Sequence, residues 1–113
     1  MKGLIIRPHW AEKILSGEKT LELRGSNTRI RGTIGIIQSG TGKVFGTVEL
    51  VDSIPLNEVA FNQTKPQHQV FCLRQDIPYP KLYGWKLENP IRYKNPIPYT
   101  HKQGCVTWVN LEE

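Results

Sequence analysis

The chain has 113 residues, 38% of them apolar and 22% charged, which suits one domain with a modest core and argues against disorder. Lysine and arginine outnumber the acids 15 to 10, and a surplus of +5 favours phosphate-bearing partners such as RNA, nucleotides or an anionic surface. The apolar run Leu4-Ile5-Ile6 stops at Arg7-Pro8, far short of a signal-peptide core or a membrane span. A cytoplasmic location without membrane attachment is therefore expected, and Cys72 and Cys105, which lack motif spacing, read as free thiols.

Gly3 to Arg7 reads as a short buried strand, and Pro8 suits the first turn of a helix, where its missing N–H costs nothing. Trp10, Ala11, Ile14 and Leu15 then make one apolar helix face, with Gly17 placed for a left-handed cap. From Lys19 the period changes to two: Leu21 and Leu23 point one way, Thr20, Glu22 and Arg24 the other. After the polar loop 25–31 come a strand over Thr33 to Gln38, a glycine-rich turn at Ser39 to Gly42, and a strand over Lys43 to Asp52. Gly35 and Gly46 inside these strands suggest bends of the kind small barrels need. LNEVAF, Leu56 to Phe61, predicts one or two helical turns ended by Lys65-Pro66, followed by a short strand over Val70 to Leu73. Two further strands are expected around Tyr83 to Leu87 and Cys105 to Leu111, with prolines turning the chain between them. The sum is an α+β fold, a small mixed β-barrel with short helices packed against it.

Two familiar motifs fail. Gly42-Lys43 is followed by Val44 and lacks a glycine at position 37, so SGTG is a turn and not a phosphate loop. The three histidines and two cysteines have no ligand-pair spacing, and neither a metal nor a cofactor is expected.

The stretch that raises a question is SGEKTLELRG, Ser16 to Gly25. If Leu21 and Leu23 claim the barrel interior, Lys19, Thr20, Glu22 and Arg24 face either solvent or a crevice under the preceding helix. In solvent such a stripe adds little. In a crevice, an ammonium beside a carboxylate polarises a carbonyl or phosphate oxygen while the carboxylate handles a proton, and the arginine offers a planar fork. Further candidates for contact with a ligand are Tyr83 and Trp85, at alternating positions that could stack a base or fill the core, together with Ser39 and His101. Arg29, Arg31 and Lys102 suit an RNA backbone or plain solvation. Trp10 and Trp108 read as core.

The spacing Gly17-x-Lys19-x-x-Glu22-x-Arg24 resembles the GxKxxExR signature of ASCH domains. PHWAEKILSGEKTLELR, IGIIQSG, GTVELVD, YGWKLENP and PYTHKQGCVTW resemble further blocks of that family in order, covering nearly the whole chain except about 56–82. The resemblance implies a single ASCH domain over 1–113, a PUA-like barrel with a cleft between the helix and the signature strand, and a role around RNA or nucleotides. Members are described as RNA-binding modules, as ribonucleases and as amidohydrolases that convert N4-acetylcytidine to cytidine. In the amidohydrolases, the lysine at the Lys19 position is thought to activate a threonine three residues on, helped by a later glutamate.

Position 22 is glutamate here, so that threonine is absent from its expected place. Thr20 lies two residues earlier, roughly 6.5–7 Å along a strand, and is one candidate nucleophile. A water activated by Glu22, with Lys19 holding the oxyanion, is the other. Glu58 and Glu88 are the acids available as the assisting residue. The expected partner is a modified cytidine nucleoside or RNA, with no obligate protein partner evident.

Overall fold

The computed structural model describes residues 1–111. Its elements run β1 (Lys2–Ile6), α1 (Pro8–Leu15), β2 (Leu21–Arg24), β3 (Gly32–Gln38), β4 (Lys43–Pro55), α2 (Glu58–Gln63), α3 (Lys65–His68), a 3-10 turn (Arg74–Asp76), β5 (Tyr83–Pro98) and β6 (Trp108–Asn110). One six-stranded sheet holds all the strands in the order β2-β5-β4-β3-β1-β6, curved into a half-barrel. Among the described residues only the β1–β3 pair is parallel, as a strand pair bridged by helix α1 allows; the others are antiparallel.

Alternation along the strands sets the layers. Leu4 and Ile6, Ile34 and Ile36, Val48 and Leu50, and Trp85 and Leu87 fill the concave side, where Ala11, Ile14 and Leu15 of α1 close over them. Gly17, at φ +84°, ends that helix in the left-handed conformation expected of it. A second cluster of Leu21, Leu56, Phe61 and Leu82 lies under α2, and a third of Ile37, Val44 and Val109 lies under the 99–105 loop.

Several expectations change. Leu21 and Leu23 do not claim the barrel interior. Glu22 sits opposite Trp85 in the β2–β5 ladder, so the charged face of β2 shares the main-core side, while the leucines serve the cluster under α2. The strand expected over Val70 to Leu73 is absent; the chain there is irregular and leads into the 3-10 turn. Pro66 does not end the helical region but occupies the first turn of α3, where no donor is lost. β5 runs on through Pro90, Pro96 and Pro98 because β2 covers it only as far as Lys86, which leaves one edge free of ladder partners. Bulges in the β4–β5 pairing supply the curvature. At Gly46 a Cβ would lie 2.2 Å from the Ile91 carbonyl oxygen, so the bend expected there requires glycine.

Candidate active site

The turn after α1 and the first residues of β2 bring three ionic groups to the floor of a cavity of about 550 Å³. Lys19 enters from the turn, its N–H bonded to the Lys13 carbonyl at 2.9 Å, and its side chain is buried with 1% exposure. Its ammonium donates to the His68 carbonyl, stands 3.8 Å from Glu22 Oε1, and lies 4.5 Å from the centre of the Trp10 ring. Glu22 is buried too, and its Oε2 takes two hydrogen bonds from Arg24, 3.0 Å from Nε and 2.8 Å from Nη2. Arg24 Nη2 also donates to the Ile5 carbonyl at 3.2 Å, and its guanidinium lies 5.5 Å from the Trp85 ring centre. The arginine locks one carboxylate oxygen and leaves the other turned towards the lysine.

Burial lowers the Lys19 pKa from its ordinary value to about 8; Glu22 pulls it back up and Arg24 pushes it further down. The carbonyl that receives Lys19 is held by an immobilised histidine. His68 is fully buried, stacked on Phe61 with ring centres 4.6 Å apart. Its Nδ1 accepts from the Val70 N–H at 2.9 Å, so the proton sits on Nε2, which donates to the Phe61 carbonyl at 2.8 Å. Burial lowers its pKa, in keeping with a neutral ring.

The cavity wall comes from three places. Ile5, Ile6, Arg7 and Trp10 supply the β1–α1 side, and Ser39 supplies the β3 end, its N–H bonded to the Ile6 carbonyl. Val70, Ile77, Pro78 and Tyr79 contribute a strap of wall from the segment after α3, joined by Val106. Lys65 ties the strap down at the Cys72 carbonyl, and Arg74 braces it from within by donating to the Ile77 and Tyr79 carbonyls.

Of the residues singled out in the sequence, Lys19, Glu22, Arg24 and Ser39 line this cavity together. Thr20 does not: its side chain is exposed, its N–H goes to Gln67 and its carbonyl to Leu87, so it sits outside the cavity and cannot reach a group bound there. Trp85 is core, 1% exposed, stacked on Trp108 and donating to the Ser26 carbonyl, so it offers no face to a base; Tyr83 packs partly buried against the same core. His101 is exposed and hydrogen-bonded to Tyr99, away from the cavity lining. Arg29 is exposed; Arg31 pairs with Asp52 at 3.6 Å; Lys102 lines a separate hollow with Tyr93 and Tyr99. Glu58 and Glu88 are exposed and outside the cavity. Trp10, read as core, does pack against the main core and is also the wall against which the lysine rests; its place on the apolar helix face hid that second role. His68 and the strap carried no sequence signal, since both are placed by bonds between side chains and nearby backbone groups that follow no repeating spacing. Among the described residues no three His, Cys, Asp or Glu side chains converge, and no helix is long and apolar enough to cross a membrane.

A mixed half-barrel with short helices and a cleft at the first helix is the PUA-like architecture. The family model of the ASCH domain matches residues 4–97, and the chain belongs to that family. No curated protein matches it in sequence. Among solved structures it is similar to an ASCH protein from Zymomonas mobilis, with a TM-score of 0.76 and 17% identity over 99% of this chain and 87% of the other. Two single-residue mutants of that Zymomonas mobilis protein align with TM-scores of 0.72 and 0.68, at 18% and 19% identity, over 99% of this chain and 90% and 88% of theirs. At such identities the likeness speaks for the fold alone.

Proposed function

We propose that this chain is a hydrolase that removes the acyl group from N4-acylcytidine, using water as the nucleophile. The observation that carries the reading is the Lys19–Glu22–Arg24 chain on the floor of a cavity with an aromatic and aliphatic wall. Glu22 Oε1, the oxygen that Arg24 leaves open, takes a proton from water as the hydroxide adds to the acyl carbonyl. Lys19, mostly protonated at neutral pH, carries charge towards the oxyanion that develops. Collapse breaks the bond between the acyl carbon and N4, and the proton held by Glu22 passes to the leaving nitrogen. The products are cytidine and a carboxylic acid. Thr20, exposed and outside the cavity, does not serve as the nucleophile.

Chromatography of N4-acetylcytidine incubated with the protein tests this. Cytidine release that disappears in Lys19→Met supports it, and no release at high protein concentration ends it. A non-catalytic RNA-binding module is the second reading, favoured by exposed Arg29 and the +5 surplus. It requires affinity that falls steeply with salt and yields no product.

A further inference from the structure

The charges that line the cavity do not balance. Lys19, Arg24 and Arg7 face it with a single carboxylate, Glu22, so the wall carries two positive charges in excess while Lys19 is protonated. Lys19 and Arg24 are both engaged by Glu22. Arg7 is different. Its side chain is exposed at the cavity wall and makes no hydrogen bond or ion pair with any described residue. Its backbone is fixed by Pro8, the first residue of α1, and by its carbonyl, which takes the Ala11 N–H at 2.9 Å. The side chain therefore springs from a rigid backbone point at the wall of a cleft that is already cationic. By contrast, Lys13 is paired with Glu18 and Arg92 with Glu12.

A neutral nucleoside has no use for that excess, whereas a phosphate does. We infer that the cavity takes a nucleotide rather than a bare nucleoside, and that Arg7 is the residue that holds its phosphate. The inference rests on the cytidine reading above and narrows its substrate. Two phosphate sources share this chemistry, the monoester of a free nucleotide and the diester of an RNA strand. The planar fork of arginine suits either.

Binding of cytidine, cytidine 5′-monophosphate and a cytidine-containing dinucleotide to the full chain tests it by calorimetry, with no turnover required. At least one phosphate-bearing probe should bind about tenfold more tightly than cytidine, the order expected of a charge-assisted hydrogen bond at an exposed site. Arg7→Gln should bring the probes level, with an unchanged melting temperature because the side chain supports no packing. Preference for the monophosphate identifies a free nucleotide, and preference for the dinucleotide identifies RNA. Equal affinities in the wild type, a preference that survives in Arg7→Gln, or no binding of any probe at millimolar concentration overturns the inference. The two readings fail separately. An Arg7-dependent phosphate preference without hydrolysis of N4-acetylcytidine removes the hydrolase and keeps the phosphate seat. Nucleoside hydrolysis indifferent to phosphate and to Arg7 does the reverse.

Discussion

Two nitrogens of Arg24 close on the same oxygen of Glu22, at 3.0 and 2.8 Å, which leaves Oε1 to Lys19 at 3.8 Å. The three residues are one unit in which the carboxylate compensates two buried or half-buried cations. Removing it strands both. Glu22→Gln should lower stability by on the order of 3 kcal/mol, the cost of an uncompensated buried charge, read as a shift in the urea midpoint. Turnover should fall by about 100-fold or more through loss of the base, with the residual rate measured below the new midpoint so that unfolding does not account for it.

His68 acts at a distance from any ligand. It fixes the carbonyl that takes the Lys19 ammonium and satisfies the Val70 N–H at the start of the strap. His68→Leu leaves the Val70 N–H and the Phe61 carbonyl without their partner, and should cost about 1–3 kcal/mol. If the role is positioning as well as structural, kcat should drop and the pH dependence of the rate should move, since Lys19 loses its anchor. A stability loss with an unmoved pH profile would reduce His68 to a packing residue.

Tyr79 lies against the backbone just past the signature strand. A Cβ on Gly25 would come within 2.8 Å of its Cδ1 and 2.9 Å of its Cγ. Gly25→Ala should therefore push the ring off this seat and reshape the cavity wall, raising KM several-fold with a smaller effect on kcat. Gly46→Ala differs in kind, because its Cβ meets the Ile91 carbonyl oxygen at 2.2 Å and backbone cannot step aside. That variant should lose stability by on the order of 1–3 kcal/mol, as overpacking does, and leave KM of the folded fraction alone.

Lys19 also shapes stability against pH. Its folded pKa, about 8, lies below the ordinary lysine value, so between the two the unfolded chain binds the extra proton. Stability from this group therefore rises as pH climbs from about 8 towards 10.5. Comparing urea midpoints of wild type and Lys19→Met at pH 7.5 and pH 10 should show the gap between them move in favour of the wild type at the higher pH. A constant gap would mean that burial does not penalise the ammonium.

The ionic unit was legible in the sequence because the strand period fixes Glu22 and Arg24 on one face and the helix cap at Gly17 fixes where Lys19 turns in. Sidedness was not. Alternation shows that Leu21 and Leu23 oppose Glu22, but which face meets the main core depends on Trp85 across the ladder and on α2, more than 30 residues later. Thr20 keeps the strand's parity but precedes β2, where its N–H turns to the Gln67 carbonyl and its side chain is exposed, and alternation alone does not show where the cavity ends. The prolines of β5 read as turns because a sequence does not reveal that a strand has a free edge. The strap from Val70 to Tyr79 has no period at all; Lys65, His68 and Arg74 position it through backbone carbonyls and one N–H, and such bonds leave no pattern in composition.

The most direct measurement is the rate of N4-acetylcytidine hydrolysis from pH 6 to pH 10 in wild type and Lys19→Met. A protonated Lys19 at the oxyanion predicts kcat that declines as pH passes about 8, and a variant whose much lower rate lacks that decline. A wild-type rate that stays level to pH 10, or a Lys19→Met variant as fast as the wild type, would contradict the account.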